Sequence, residues 1–312
     1  MSAPTIALTG ATGFIGRHLL RELPARGYRV RVLLRRPADV PPGASSAVVG
    51  DIAAPQNMAA ALRGVDVIIH SAGLAHAMSG RPKDDYRAIN TEATVALARA
   101  AERAGIKRFV FLSSIRAQSG PTAEGVLTEE QEPHPTDPYG RSKLAAEQGL
   151  AELGIDWVAL RPVLVYGPGV KGNMAALLDL ARSRFPLPFG GLKAQRSILG
   201  VDNLVSAVDT VLKLEGPVRR PFIVADPEPM TVGGMVAALR EGLGRGPGLL
   251  PVPAALLGAA ARAAGRGEAF DRVSGSLVAS PKALMDAGWQ PPLSAREGLV
   301  RLAKAASQNA AA

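Results

Sequence analysis

The chain has 312 residues, 47% of them hydrophobic and 20% charged, with a formal charge of +9 and no cysteine. That length supports a substantial core, and nothing in the composition points to disorder outside the tail "ASQNAAA". A disulfide framework and a thiolate metal site are excluded, and His18, His70, His76 and His134 lack ligand-like spacing, so no metal is expected. The arginines are scattered and do not form a stripe with interleaved aromatics, so the charge reads as a solvated surface and no nucleic-acid partner is expected.

The start "MSAPTIALTG" leaves no room for a signal peptide ahead of the first apolar run. No stretch reaches the roughly 18 to 20 apolar residues of a spanning helix. The nearest, "VPAALLGAAARAAG" from Val252, contains Arg262 and reads as a buried amphipathic helix, with a membrane-surface helix as the alternative. A cytoplasmic protein without membrane insertion is expected.

In chain order, strand-like runs "TIALTG", "RVRVLL", "AVVG", "DVIIHSAG" and "RFVFLSS" alternate with helical patterns "FIGRHLLREL", "AAALRG" and a long helix near 85 to 104. A helix from about 139 to 152 leads into the strand-like "IDWVALRPVLVYGPG", and "LGVDNLVSAVDTVLKL" predicts a strong amphipathic helix before a last strand, "PFIVAD". Strand-helix alternation of this kind predicts right-handed crossovers and an α/β fold, a Rossmann-type doubly wound parallel sheet. Glycine and proline density rises after the "VYGPG" segment, which predicts a smaller C-terminal substrate-binding region. The expected division is 1–166 plus about 199–225 for the sheet domain, with 167–198 and 226–312 forming the cap.

"TIALTGATGFIGRHLL" carries Gly10, Gly13 and Gly16 between a strand and a helix. Such a turn aims a helix N-terminus at a pyrophosphate and keeps side chains away where backbone and phosphate approach. The end of the second strand then discriminates between dinucleotides: an acid there suits the ribose of NAD, an arginine the 2′-phosphate of NADP. Here Leu34 occupies the acid's position and Arg35 and Arg36 follow, which favours NADP(H), with NAD(H) as the alternative.

With the glycine loop, "GD" at 50 and 51, "HSAG" at 70 to 73, Asn90, "FLSS" and "YGRSK" in this order, the chain resembles the extended short-chain dehydrogenase/reductases. "LRPVLVYGPG", "RSILGVDNLVSAV" and "GWQPPLS" resemble the NAD(P)-dependent nucleotide-sugar epimerase/dehydratase branch, and "FLSSIRAQSG", "DPYGRSKLAAEQ" and "RPVLVYGPGVKGN" are similar to UDP-N-acetylquinovosamine 4-reductase-like proteins of surface-polysaccharide synthesis. The resemblance implies that Thr12, Phe14 and Ile15 join the three glycines at the cofactor. It further implies that Asp51 and Ile52 meet the adenine, that Ala72, Gly73 and Pro162 border the cofactor, and that Asn90 braces the central helix. His70 reads as a buried, hydrogen-bonded packing residue. A homodimer through the helices near 85 to 104 and 139 to 152 is expected from the family.

Tyr139 and Lys143 are one helical turn apart and project from the same face. An ammonium beside a phenol, and the positive nicotinamide when oxidised, favour the phenolate, so Lys143 and the cofactor are expected to bring the Tyr139 pKa towards neutrality, where the phenol can exchange a proton with a substrate alcohol. By resemblance Lys143 also holds the nicotinamide ribose. Ser114 ends a parallel strand, where open α/β sheets bind ligands, and can orient the substrate oxygen; Ser113 is the alternative donor, and the family resemblance of "FLSS" implies Ser114, the last serine. Arg196 is a candidate clamp for a diphosphate because a guanidinium matches phosphate oxygens bidentately; by their position in the family pattern after "YGPG", the resemblance implies Lys171 and Asn173 as further candidates, and Phe185 and Phe189 are the nearest candidates to stack on a uracil.

The dehydratases of the branch carry an Asp-Glu pair after the strand-end hydroxyl residue; Ile115 and Arg116 stand there instead, which disfavours elimination. Because Leu34 and Arg35 favour NADPH as a consumed reductant, a 4-keto nucleotide-sugar reductase is the first expectation and a nucleotide-sugar 4-epimerase, which keeps its cofactor, the second. Reduction of a non-sugar ketone and a non-catalytic NADP-binding sensor or subunit are the remaining alternatives.

Overall fold

A computed structural model describes residues 3–74, 83–265 and 267–311 of the chain. Its frame is a sheet of seven strands: β1 (Thr5–Thr9), β2 (Arg29–Leu34), β3 (Ala44–Val48), β4 (Val67–His70), β5 (Arg108–Leu112), β6 (Asp156–Pro162) and β7 (Arg220–Val224). The order is β7-β6-β5-β4-β1-β2-β3, and every neighbouring pair is parallel. The chain builds outward from β1 to β3 and then returns to lay β4 on the other side of β1. That reversal opens a crevice at the carboxyl ends of β1 and β4, the place where sheets of this topology take ligands.

The strands alternate between two cores. Ile6, Leu8, Val110, Leu112, Val158 and Leu160 face one layer, closed by Leu19 and Leu23 of helix α1 (Phe14–Ala25) and by Leu204, Val208 and Val211 further along the chain. Ala7, Ile68, Phe109, Phe111, Trp157 and Ala159 face the other, closed by Leu97 and Ala101 of α2 (Ala93–Arg103) and by Ala146 and Leu150 of α3 (Pro138–Ala151). Both faces are thus covered, which explains the near-continuous apolar runs of β4 and β5. Full burial of one such Leu, Ile or Phe contributes about 1.5–3 kcal/mol.

A third core gathers Met174 and Leu178 of α4 (Asn173–Ala181), Met235 and Leu239 of α6 (Val232–Gly242) and Leu299 and Leu302 near the C-terminus, with Tyr166 and Ile198. Between α4 and α6 runs α5 (Val201–Lys213), which belongs to the first layer. A buried polar latch joins these parts. The Asp226 carboxylate, just beyond β7, accepts hydrogen bonds from the Tyr166 hydroxyl at 3.0 Å, the Asn203 side-chain amide at 2.7 Å and the Gly200 amide at 3.1 Å. Asn203 in turn bonds both backbone groups of Leu293. Burial pushes the Asp226 carboxyl up to about 6, while its three donors pull the other way.

Three expectations are corrected. The long helix is interrupted by a π-helical turn, Arg87–Glu92, which leads into α2. The apolar segment after Val252 does form a helix, α7 (Ala254–Ala263), but only Gly258 of it is buried and Leu256 is 62% exposed. The tail is not irregular: after α8 (Gly267–Ser274), helix α9 runs from Ala295 to Ala311. His76 lies outside the described residues. No helix among the described residues is long and apolar enough to cross a membrane.

Gly10 has φ +72°, and a Cβ added there would sit 2.6 Å from the Ala72 nitrogen and the Ser71 carbonyl carbon. Gly27, also left-handed at φ +88°, has nothing within 4 Å. Gly27→Ala should therefore cost ~1 kcal/mol of stability from backbone strain alone. Gly10→Ala should cost at least ~2 kcal/mol, since a clash with fixed backbone adds to that strain. Denaturant unfolding of the two variants checks the difference.

Candidate active site

The glycine turn is built by contact between backbones. Gly13 donates to the Gly10 carbonyl at 2.9 Å, and a Cβ on Gly16 would lie 2.0 Å from that same carbonyl oxygen. Helix α1 begins at Phe14 with Gly13 as its N-cap and no side-chain capping bond. Its first amides therefore face the crevice together with the positive end of the helix dipole, an arrangement that fits a pyrophosphate. Thr12 and Gly13 are exposed, while Phe14 and Ile15 are half-buried.

At the neighbouring strand end, β5 delivers Ser113 and Ser114, which are 4% and 8% exposed. The Ser114 oxygen accepts from the Arg116 amide at 3.1 Å and so caps the short helical turn Ile115–Ala117. Ser114 is also hydrogen-bonded to the phenol of Tyr139. The Ser113 hydroxyl donates instead to Glu147, so the two adjacent hydroxyls have different partners.

Tyr139 is the second residue of α3. Asp137 is the N-cap of that helix, its carboxylate accepting from the Gly140 amide at 2.7 Å, and Pro138 fills the first position, where a missing N–H costs nothing. Gly140 lets the helix press on the serine turn: a Cβ there would lie 2.2 Å from the Arg116 carbonyl oxygen. That contact brings phenol and serine together.

Lys143, one turn on, is 5% exposed. Its ammonium donates to the Leu112 carbonyl at 2.9 Å and lies 4.5 Å from the Phe111 ring centroid. A Cβ on Gly73 would be 3.4 Å from that nitrogen and 2.8 Å from the Asn90 side-chain oxygen, so lysine, asparagine and the loop after β4 meet. Burial pulls the ammonium down to about 8, opposed by the Glu147 carboxylate.

The expected tuning of the phenol by Lys143 is corrected. Burial raises the Tyr139 pKa above its ordinary value. The Ser114 hydrogen bond and the Arg116 charge lower it, and the Asp137 charge raises it. Lys143 donates its ammonium to the end of β5, and among the described residues Arg116 is a cation that favours the phenolate.

Two buried networks hold these groups. Arg161 on β6 and Glu147 on α3, 3% and 4% exposed, form an ion pair whose Nε lies 3.1 Å from each carboxylate oxygen. Arg161 also donates to the Gln118 side-chain oxygen. Removing one partner of such a pair costs about 3–5 kcal/mol, because the other charge is left buried and alone.

The second network runs through His70. Thr94 donates its hydroxyl hydrogen to the Asn90 carbonyl at 2.7 Å, so His70 Nε2 carries the proton it shares with Thr94 at 3.0 Å. His70 Nδ1 then accepts from Thr9 at 2.7 Å, and Thr9 accepts from the Ala72 amide at 3.2 Å. Burial, and secondarily Lys143, lower the imidazole to about 3, so His70 is neutral, in agreement with its reading as a packing residue. Asn90, in the π-helical turn, pairs with both backbone groups of Leu74 and donates to the Ser142 hydroxyl.

The remaining candidates lie further out. Arg35 and Arg36 are exposed at the end of β2, beyond the buried Leu34. Asp51 is exposed and accepts from the Ala53 amide at 2.9 Å, while Ile52 packs on the second core. Pro162 ends β6 and is buried. Lys171 and Asn173 are exposed at the start of α4. Arg196 donates to the Gly275 carbonyl at 2.6 Å and the Pro121 carbonyl at 3.1 Å, and the Arg116 charge acts on it. Phe185 is 63% exposed and Phe189 half-buried. Sequence reasoning assigned no site role to Arg116, Asp137, Gly140, Glu147 or Arg161. The Asp-Pro pair before the tyrosine was the available signal for the cap.

The model of the NAD dependent epimerase/dehydratase family matches residues 6–225. A UDP-glucose 4-epimerase from Vibrio cholerae is 34% identical over 96% of this chain and 95% of its own length. The structure of MoeE5 in complex with UDP-glucose and NAD is similar at TM-score 0.74 and 26% identity, covering 99% of this chain and 100% of that one. A UDP-glucose 4-epimerase from Thermotoga maritima, solved with UDP-glucose, is similar at TM-score 0.76 and 25% identity, covering 98% of this chain and 99% of its own. The chain belongs to the NAD-dependent epimerase/dehydratase family of short-chain dehydrogenase/reductases.

Proposed function

We propose that the protein reduces the 4-keto group of a nucleotide-linked sugar, with NADPH as reductant and Tyr139 as proton donor. The observation that carries this reading is the Tyr139 phenol, hydrogen-bonded to Ser114 at the end of β5 and with its pKa raised by burial. It is protonated at neutral pH, which is the form that a reduction requires.

The dinucleotide supplies the hydride. Gly10, Gly13 and Gly16 make room for its pyrophosphate and the amides of α1 bind it, with Thr12, Phe14 and Ile15 alongside. Arg35 and Arg36 meet a 2′-phosphate; both are exposed at the end of β2. Asp51 and Ile52 receive the adenine, and Ala72, Gly73 and Pro162 border the nicotinamide end. Lys143 holds the ribose hydroxyls. Ser114 orients the keto oxygen, and Tyr139 passes its proton there as the alkoxide forms. Arg196, Lys171 and Asn173 contact the nucleotide sugar from the cap region built on the third core. A homodimer through α2 and α3, acting in the cytoplasm, completes the reading; a Cβ on Gly149 would lie 2.5 Å from Val95, so these two helices already pack as a unit.

A 4-epimerase is the second reading, supported by the function of the Vibrio cholerae relative. It would use the same residues, with Tyr139 first as base and then as acid.

Incubation with NADPH or NADH and a UDP-linked 4-keto-6-deoxy sugar separates the two. A reductase consumes one NADPH per product alcohol and prefers NADPH, whereas an epimerase interconverts UDP-sugars with no net consumption. Tyr139→Phe should lower kcat roughly 10²- to 10⁴-fold, the range expected for loss of a general acid; undiminished turnover would remove the proposed role.

Lys143 gives a pH signature. Its ammonium, pulled down to about 8, is charged below that pH and neutral above it. kcat/KM for NADPH, which reports groups of the free enzyme, should therefore fall as pH rises through about 8. Lys143→Arg should move that fall to higher pH.

A further inference from the structure

We infer that Arg116 is a positioning residue for the reaction, supplying the fixed positive charge that keeps the Tyr139 phenol a competent acid. This rests on the reductive reading and adds to it a residue outside the serine, tyrosine and lysine set.

Arg116 is bound into the site at both ends. Its backbone amide donates to Ser114, and its carbonyl is the surface against which Gly140 packs. Its guanidinium reaches across to Asp137, with Nε at 3.1 Å, and so grips the cap of the helix whose second residue is Tyr139. The contacts form a closed circuit: Ser114 to Arg116, Arg116 to Asp137, Asp137 to Gly140, and Tyr139 back to Ser114. No swing of a long side chain is needed to hold a charge there.

The Arg116 Nε and Nη2 both donate to the single oxygen Oδ2 of Asp137, which fixes the guanidinium over the cap of the tyrosine's helix. The Asp137 carboxylate beside the phenol raises its pKa more than Arg116 lowers it, so the guanidinium serves to offset that carboxylate and lets negative charge develop on the phenol oxygen.

Among the described residues, the other groups named around the phenol do not take this part. Tyr86 stands edge-on with ring centroids 6.3 Å apart and, like Asp137, opposes ionisation. Lys143 is committed to the Leu112 carbonyl. Arg196 is anchored on the carbonyls of Gly275 and Pro121.

Two variants separate charge from architecture. Arg116→Gln keeps a hydrogen-bond donor for Asp137 and deletes the charge, while Arg116→Lys keeps the charge. With NADPH and the keto sugar, the glutamine variant should lose about three- to ten-fold in kcat at unchanged KM for NADPH, as expected for one lost neighbouring charge. Its solvent deuterium isotope effect on kcat should rise, because proton donation becomes slower. Arg116→Lys should stay within about two-fold of the native kcat. Equal losses in the two variants, or a loss seen only in KM or in thermal stability, would overturn the assignment. If the glutamine variant does not fold, the lysine variant decides: a fall of about ten-fold or more in its kcat overturns the role. Native protein that oxidises no NADPH contradicts the reductive reading itself, which is a separate result.

Discussion

The buried pair of Glu147 and Arg161 is the constraint on which the site depends. It pins α3 to β6, and through Ser113 and Gln118 it fixes the end of β5 and the turn that follows. Two charges this deeply buried are costly to desolvate, and they are tolerated because their hydrogen bonds are shared among groups that must be held in register. Ser114, Tyr139 and Lys143 sit on the elements so joined. Glycine does the rest: Gly140 lets the helix touch the Arg116 carbonyl, Gly16 lets α1 come down on the turn after β1, and Gly10 lets that turn meet the backbone after β4.

The charges divide the work in a way that distance along a helix does not suggest. Lys143 is one turn from Tyr139, yet it faces the Leu112 carbonyl, Gly73 and Asn90, the side on which the ribose of a dinucleotide is proposed to lie. Arg116, far from the tyrosine in sequence, is a cation that favours the phenolate. Burial outweighs it, so the phenol rests protonated. That resting state suits a proton donor, and it links the fold's dry interior to the direction of the proposed chemistry.

The seven strands, the glycine turn and the Tyr139–Lys143 pair were legible because each is a local pattern: apolar runs, a strand-turn-helix spacing, a helical period. The family match rests on the same motifs. Glu147 and Arg161 were not legible, since nothing local marks a glutamate and an arginine on separate elements as partners; the sheet order alone makes them so. The π-helical turn that carries Asn90 leaves no compositional mark. Helix α7 was misjudged for a related reason: its apolar residues predict a helix but do not say whether another element covers it, and Leu256 is exposed. The reading of Lys143 as the tuning cation failed because spacing gives the face of a helix, while neighbouring carbonyls decide where a lysine's flexible end goes.

Crystals of the protein grown with NADP⁺ offer the most direct test. The nicotinamide should lie in the crevice between β1 and β4, its carbon 4 turned to the Tyr139 hydroxyl and Ser114, its ribose on Lys143 and its 2′-phosphate against Arg35 and Arg36. A dinucleotide bound with the nicotinamide pointing away from Tyr139, or held elsewhere on the molecule, would contradict the assignment of these residues to hydride chemistry.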